Sequence, residues 1–574
     1  MVRSRRLLSF LALLLGFALL AASCGGSEDE EGGDTSGDNG GDDTEETTTI
    51  PDEDIPEGGD LVLGAEQEPD CADWISSCAG ASWGYWTMNV NTMPRAFDPV
   101  LEDDGTYVYE PSILLDGEPE LETDPEQVVT YNINPDAVWS DGEPITSSDF
   151  KYTWEQIATG EDIYDTTGYA NIASVDDSDP AVAVVTYETP YAGWKGLFGG
   201  GYGIYPSHIL EGQDRNAEMV NGYDFSGGPW VIEAWNKGSE VVLVPNENYW
   251  GDVPKLDSVT FRFVTDTAAE FQAYQAGEVS AIYPQPQLDV IDSINAGVDG
   301  NNSFTANTGN IEALWMNNAE FPFDSVAVRQ AFAYSLDRDA IVESLFGGID
   351  VTEASNALDP PIMAPYTNED AFSDYTLDLD QVDELMTGDG WEKNADGIWE
   401  KDGQAANIEF ITTAGNARRE RTQEIVIDQA GEAGFNITVA NQEAGTFFGE
   451  TLPNGDYQLG LYAQVLTSLD PSNCNLFCSK NIPSAENEFS GQNWTRTDIE
   501  GLDDLLETVE SSLDEDERQA AGAEAQDLLA ESVGSLPVDP LPNILLWSDD
   551  IVGPVGDNAI LGPFNNMQNW GLAA

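Results

Sequence analysis

The sequence ALWMNNAEFPFDSVAVRQAFAYSLDRDAIVESLFGG (313–348) ends in a long run with helical periodicity. Between residues 325 and 346, Val328, Phe332, Ser335 and Leu336 fall on one face of a helix, and Asp324 stands where an N-cap is expected. The spacing therefore predicts a helix over 325–346.

Upstream of that segment, short runs rich in β-branched and aromatic residues predict strands at 61–66, 127–133, 181–188, 240–245 and 257–264. In the last of these, alternation places Val259, Phe261 and Phe263 on one face. Downstream, 497–531 is typical of two acidic amphipathic helices. This mixture of strands and helices predicts an α/β (mixed α+β) fold.

Several phrases, including the opening one, occur in an order and at intervals that resemble one protein family. They are VWSDGEPITSSDFKYTWEQI (138–157), GGPWVIEAW (227–235), LVPNENYWGDVPKLDSVTFRFVTD (243–266), FQAYQAGEVSAIYP (271–284), 313–348 and the closing residues 540–571. Together they are similar to the bacterial extracellular solute-binding proteins of ABC importers, family 5, the dipeptide/oligopeptide/nickel class. The resemblance covers roughly residues 60–574.

That resemblance implies a periplasmic-binding-protein-like, two-lobed fold with an extra domain inserted in the first lobe. By analogy, the first lobe takes 61–98, 208–306 and 535–574, the extra domain takes 99–207, and the second lobe takes 307–534. The family binds a peptide or other small solute in a cleft that closes between the lobes. The closed form would then meet ABC permease and ATPase subunits.

The N-terminal residues MVRSRRLLSFLALLLGFALLAASC (1–24) have the layout of an export signal, with a basic start, an apolar run and small residues before Cys24. The layout resembles a lipobox, which predicts lipidation of Cys24 and a protein anchored on the extracytoplasmic face of the cell membrane. An ordinary secreted protein with an unmodified cysteine is the alternative. Residues 25–60 have almost no apolar content and predict a disordered acidic tether.

Charge excludes several classes of function. The 574 residues include 106 Asp and Glu against 20 Lys and Arg, so the formal net charge is −86. Such a field repels nucleic acid and anionic lipid surfaces, and it suggests a saline habitat. The single His disfavours His-rich metal sites and Ser-His-Asp chemistry. We therefore predict no metal, no cofactor and no nucleic-acid partner, and we expect a monomer.

Four cysteines remain beside Cys24. In an exported chain, an even number favours disulfides over metal ligation. The short spacings favour the local pairs Cys71–Cys78 and Cys474–Cys478, although four cysteines allow three connectivities.

The resemblance predicts one ligand-binding position in particular. In peptide binders of the family, an Asp four residues before a Pro in the second lobe pairs with the free amine of the ligand. In GDYQLGLYAQVLTSLDPSNC (455–474) the matching Pro is Pro471 and the matching position is Thr467. A hydroxyl cannot form a charge-assisted bond to an ammonium, so recognition of a peptide N-terminus is in doubt.

Aromatic and polar residues supply the other candidate ligand contacts. In the first lobe they are Trp83, Tyr85 and Trp86, and in the second lobe they are Tyr462, Gln464 and Thr467, with Trp315 and Asn317 as further candidates. Packing in a core is the competing interpretation for both aromatic groups.

The resulting hypothesis is a non-catalytic solute receptor of an ABC importer. A secreted hydrolase, such as a glycosidase with two carboxylates, is the alternative from another class, and a sensory receptor on the same fold is a third. The sequence lacks G-x-S-x-G, H-E-x-x-H and P-loop motifs.

Overall fold

The computed structural model describes residues 55–573, except for gaps at 77–81, 103–106, 164, 200–202, 297–300, 307–308, 350, 466–468, 470, 472, 488 and 490. The predictions for the export signal, the tether up to residue 54, Cys24, Cys78 and Thr467 lie outside these residues.

A seven-stranded sheet forms the first large layer. Its strands, in spatial order, are Asn301–Ala306, Asn543–Ser548, Ala281–Ile282, Asp60–Ala65, Ser258–Phe263, Glu240–Pro245 and Trp230–Asn236. The central strand Asp60–Ala65 runs parallel to both of its neighbours, and the remaining pairs are antiparallel. Val259 and Phe261 are fully buried, as the alternation predicts.

Between the strands Asp60–Ala65 and Trp230–Asn236, the chain forms a four-stranded antiparallel sheet. It is ordered Glu120–Glu122, Val128–Asn132, Val182–Tyr187 and Ile172–Asp179, and the helix Ser147–Thr159 packs on it. The hairpin Phe97–Leu101 and Tyr107–Pro111 precedes this sheet. One apolar core joins the seven-stranded and four-stranded sheets, and we call the body around them the first lobe.

A five-stranded sheet is the centre of the second lobe. Its order is Asn436–Val439, Asn407–Ile411, Leu459–Val465, Asn310–Met316 and Ser535–Asp539. The last strand pairs with Asn310–Met316, although the resemblance had assigned it to the first lobe. We therefore propose that the final segment of the first lobe begins near residue 540, and the other predicted domain limits remain predictions.

The helices partly revise the predictions. The predicted helix 325–346 is two helices, Val326–Tyr334 and Arg338–Phe346, because Asp337 begins a new helix by accepting a 3.0 Å hydrogen bond from the Ala340 N–H. Ser325, not Asp324, is the N-cap of the first. The two acidic helices are confirmed as Leu502–Ser511 and Glu515–Ser532.

Further helices are Ser207–Leu210, Arg215–Met219, Thr267–Gln275, Leu288–Ala296, Leu379–Gly388, Ala417–Ala433 and Cys474–Phe477. Two composite helical segments contain a π-helical centre: Ser82–Gly84, Tyr85–Asn89 and Val90–Thr92, and Ala444–Thr446, Phe447–Thr451 and Leu452–Asn454. Minor strands are Glu392–Lys393, Trp399–Lys401, Gln404–Ala405, Ile551–Val552 and Gly571–Leu572.

The chain passes twice between the two large sheets, from Ala306 to Asn310 and from Asp539 to Asn543. A second apolar core surrounds the five-stranded sheet. Within the described part of the chain, every helix is too short or too polar to cross a bilayer.

Candidate functional site

The two large sheets direct the carboxyl ends of parallel strands towards a common junction. In the first lobe, Asp60–Ala65 and Ala281–Ile282 are parallel, and in the second lobe Asn407–Ile411 and Leu459–Val465 are parallel. The segments that follow them touch. The Asn416 side-chain amide donates to Gln285 Oε1 at 3.1 Å, and the Arg418 N–H donates to Gln287 Oε1 at 3.3 Å. In open α/β sheets, ligands bind outside the carboxyl ends of strands, so this junction is the candidate site.

A second set of contacts also joins the two lobes. Ile362 and Met363 of the second lobe share a small apolar cluster with four first-lobe residues, Tyr85, Val90, Ile560 and Leu561. Nearby, the Leu469 N–H donates to the Tyr109 hydroxyl at 3.1 Å. The lobes are therefore in contact through both sets, as in a closed cleft.

Two of the predicted first-lobe aromatics, Tyr85 and Trp86, lie at this junction, whereas Trp83 belongs to the first-lobe core. Trp83 is buried, while Trp86 is half-buried and packs edge-on against Trp83 and Tyr283, with ring centroids 5.4 and 5.2 Å apart. A Cβ atom at Gly562 would lie 2.3 Å from Trp86, so this glycine permits the ring to approach the backbone. Trp86 lies in the π-helical segment Tyr85–Asn89, and such irregular helical turns are frequent at functional sites.

Asp557 lies beside these rings and was not singled out by the sequence. Its Oδ2 accepts hydrogen bonds from the Tyr283 hydroxyl at 3.2 Å and from the Asn543 side-chain amide at 2.9 Å. Its Oδ1 is shielded from solvent and has no hydrogen-bond partner among the described residues. Burial raises the pKa of Asp557 to about 6. No residue pattern around Asp557 distinguishes it among 106 acids.

Three of the second-lobe candidates lie inside that lobe. Trp315 and Tyr462 are stacked with ring centroids 4.9 Å apart, and the Trp315 indole N–H donates to the Tyr462 carbonyl at 2.8 Å. The Asn317 amide donates to the carbonyls of Gly455 and Tyr457, both at 3.0 Å. All three side chains are almost completely buried. These contacts are those of a core, the competing interpretation.

Gln464 occupies a different position on the same strand. It is half-buried and pairs in register with Ile311, close to the crossover at Asn310, whereas Trp315 pairs with Gly460 towards the other end. Gln464 is therefore nearer to the junction than Trp315. Ligand contact by Gln464 stays a prediction.

The sequence did not predict a buried charge network in the second lobe. Glu312, fully buried, accepts hydrogen bonds from both guanidinium groups of the adjacent Arg418 and Arg419, the latter at 2.6 Å. Burial opposes ionisation of Glu312, but the two arginine charges prevail and lower its pKa. Asp539 pairs with Glu312 in strand register, and burial raises its pKa, as does the Glu312 charge. The consecutive Arg418 and Arg419 in so acidic a chain are the sequence feature that could have indicated this network.

A second pair of buried acids lies at the first-lobe side of the junction. Glu66 follows the strand Asp60–Ala65 and accepts a 3.2 Å hydrogen bond from the Gln285 N–H. Burial raises its pKa to about 7. Burial raises the pKa of Glu270 to about 9, and the Glu66 charge adds to the shift. Both carboxylate oxygens of Glu270 lack hydrogen-bond partners among the described residues.

The cysteine prediction is confirmed for one pair, since Cys474 and Cys478 form a disulfide with their Cα atoms 4.6 Å apart. Cys71 is also disulfide-bonded. In the described part of the chain, no group of three or more His, Cys, Asp or Glu is arranged to hold a metal ion.

Comparison with known proteins gives consistent results. The family described as "Bacterial extracellular solute-binding proteins, family 5 Middle" matches residues 115–481. The oligopeptide-binding protein OppA of Mycobacterium bovis is 36% identical over 196 residues, which are 33% of this chain and 32% of that protein. The alignment thus spans about a third of the length of that relative.

Two solved structures show the same fold. The periplasmic EDTA-binding protein EppA has a TM-score of 0.80 at 23% identity and covers 91% of this chain and 97% of its own. The oligopeptide-binding protein AppA of Bacillus subtilis, in complex with a nonapeptide, has a TM-score of 0.74 at 20% identity and covers 91% of this chain and 100% of its own. The two-lobed periplasmic-binding-protein fold is therefore confirmed.

Proposed function

Because this chain belongs to the bacterial extracellular solute-binding proteins of family 5, we propose that it captures a small solute between its lobes and delivers it to an ABC importer. The observation that carries this proposal is the junction itself. Parallel-strand ends from two separate sheets face one another, and only two chain segments of the described residues connect those sheets. Rotation about those two segments would open and close the site.

A peptide or another small solute is the proposed ligand. The names of the relatives mention an oligopeptide, a nonapeptide and EDTA. Thr467, where peptide binders of the family carry Asp, argues against recognition of a peptide amine at that position. The chain would bind its ligand without converting it, which distinguishes it from the hydrolase alternative.

The remaining parts of the proposal concern location and partners. We place the protein outside the cytoplasmic membrane, held by a lipid on Cys24, as a monomer that meets permease and ATPase subunits when closed. The support is the lipobox-like sequence before Cys24 together with the family membership.

A thermal-shift screen of the full chain against peptide, sugar, amine and carboxylate libraries tests the proposal. A ligand at a hundred times its Kd should stabilise the protein by about 2.7 kcal/mol. Small-angle scattering should then show a more compact particle with that ligand than without it. Failure of every library member to stabilise or compact the protein would contradict the proposal.

Two further measurements separate the alternatives. A ligand recovered chemically unchanged after prolonged incubation supports a receptor, whereas turnover supports the hydrolase. Uptake of the labelled ligand into cells, lost when the permease gene is deleted, supports import over sensing.

A further inference from the structure

We propose that the ligand carries an organic ammonium group, and that Asp557, Tyr107, Tyr283 and Trp86 of the first lobe form the subsite that receives it. This inference rests on the proposed function and adds the chemical class of one ligand group.

The first argument is an uncompensated charge. Asp557 receives two neutral hydrogen bonds on Oδ2, its Oδ1 has none within the described residues, and the backbone N–H of the neighbouring Asn558 lowers its pKa. None of the described Lys or Arg side chains forms an ion pair with it. The Asp557 side chain is half-buried, with Oδ1 shielded from solvent. A carboxylate partly removed from water without a cation is unfavourable, so a bound cation would stabilise it.

Three fully buried acids of the molecule, Asp73, Glu312 and Glu270, are compensated or neutralised inside the protein. Asp73 pairs with Arg215 at 2.8 Å, and Glu312 pairs with two arginines. Glu270, with a pKa of about 9, stays protonated at neutral pH. Asp557, with a pKa of about 6, is mostly ionised at neutral pH. It therefore combines ionisation, shielding of Oδ1 and the lack of a cationic partner.

The second argument is the aromatic surface around this carboxylate. The Tyr283 hydroxyl binds Asp557 directly, and the Tyr283 ring contacts Trp86. The Tyr107 hydroxyl accepts a 3.2 Å hydrogen bond from the Ala559 N–H, and burial raises the pKa of Tyr107, as does the Asp557 charge. Aromatic rings combined with a carboxylate attract ammonium groups and especially quaternary ones.

The third argument is position. The four residues come from four separate segments of the first lobe, and Trp86 and Tyr107 pack against the cluster that contains Ile362 and Met363 of the second lobe. A group bound by Asp557 would therefore be enclosed when the lobes close.

Isothermal titration calorimetry of the full chain with two matched probe pairs tests the inference. Choline is compared with its uncharged isostere 3,3-dimethylbutan-1-ol, and trialanine is compared with N-acetyl-trialanine. We expect at least one ammonium probe to bind about ten- to a hundredfold more tightly than its uncharged counterpart. The pair that discriminates tells a quaternary ammonium from a primary one.

Asp557→Asn should abolish that preference, whereas the exposed and nearby Asp550→Asn should keep it. If Asp557→Asn fails to fold, the wild-type comparison and Trp86→Leu, expected to bind about tenfold more weakly, still decide the matter. Equal affinity within both pairs, no binding of either ammonium probe, or a preference that survives Asp557→Asn overturns the inference. In those cases, stabilisation and compaction by an uncharged or anionic solute would leave the proposed function standing.

Discussion

Each lobe has an aromatic cluster next to a helical segment with a π-helical centre, but the two clusters differ in how their polar groups are satisfied. We define the first-lobe cluster as Trp83, Trp86, Tyr283 and Phe564, and the second-lobe cluster as Trp315, Tyr462, Phe447, Phe448 and Trp494. The first ends at a carboxylate with an unpaired oxygen. In the second, the Trp315 indole N–H donates within the cluster, while the buried Trp494 indole N–H has no partner among the described residues, so this cluster holds an unpaired neutral donor and not an unpaired carboxylate oxygen.

Two ionised acids, one in each lobe, differ as well. In the second lobe, Glu312 is held by two arginines, so its charge is compensated inside the protein. In the first lobe, Asp557 has only neutral donors. The difference teaches that aromatic density alone does not locate a binding site. A candidate site becomes recognisable where aromatic surface meets a carboxylate without a cationic partner.

The largest expected loss of stability on truncating one side chain is at Trp315. Trp315→Ala should lower the free energy of unfolding by about 3–5 kcal/mol, because a large side chain is removed from a closed core. Trp86→Ala should lower it by less than about 2 kcal/mol, since the ring is half-buried. Chemical denaturation at constant salt measures both. Equal losses would contradict the distinction between the two clusters.

Breaking the compensated charge network should be nearly as harmful. Arg418→Met should reduce stability by about 3 kcal/mol, because Glu312 then keeps only one of its two cations in a buried site. Arg421→Met, on the same helix, removes only an exposed pair with Glu424 and should change stability by less than about 1 kcal/mol. A difference in denaturation midpoint between the two variants is the readout, and equal midpoints would show that the network is not structural.

The charge state of the first lobe can be tested through pH. Glu270 ionises near pH 9 in the folded protein and near 4.5 when unfolded. Above pH 4.5 the unfolded chain therefore releases this proton while the folded chain retains it, so stability falls by up to ~1.4 kcal/mol per pH unit until about pH 9.

Glu270→Gln should remove that slope and raise the melting temperature at pH 8 relative to wild type. Glu278→Gln, an exposed acid near the end of the same helix, should leave the slope unchanged. Thermal melts between pH 5 and 9 provide the comparison. Parallel curves for wild type and Glu270→Gln would disprove the buried, protonated state of Glu270.

The smallest expected effects concern the ligand. Trp86→Ala and Gln464→Ala should each weaken ligand binding, by about tenfold, without unfolding the protein. Calorimetry with whichever ligand the thermal-shift screen identifies, alongside circular dichroism, checks both parts. Unchanged affinity in both variants would contradict the assignment of the binding site to the junction.

Local patterns predicted much of the fold. The strand Ser258–Phe263 and the acidic helices Leu502–Ser511 and Glu515–Ser532 follow from periodicity, because burial of one face is a property of neighbouring residues. The break between Val326–Tyr334 and Arg338–Phe346 was missed. It depends on the choice of Asp337 as a cap, which competes with continued helix at similar energy.

The site was predicted less well than the fold. Tyr85 and Trp86 do lie at the junction, but Trp83 packs in the first-lobe core, and Trp315, Asn317 and Tyr462 lie inside the second lobe. Aromatic residues pack in cores and line clefts with the same local sequence. The sequence does not point to Asp557 because its role depends on its contact with Tyr283, 274 residues away along the chain.

By itself, the amino-acid sequence determined the family, the alternation of strands and helices, the acidic character and the predicted export signal, because each depends on composition or on residues close together in the chain. Only the tertiary structure decided which aromatic cluster lies inside a lobe and which one meets a carboxylate with an unpaired oxygen. It also decided that Ser535–Asp539 belongs to the five-stranded sheet. Compensation of a charge and pairing of a strand are contacts between distant segments, and the energy of such contacts exists only once the lobes have formed.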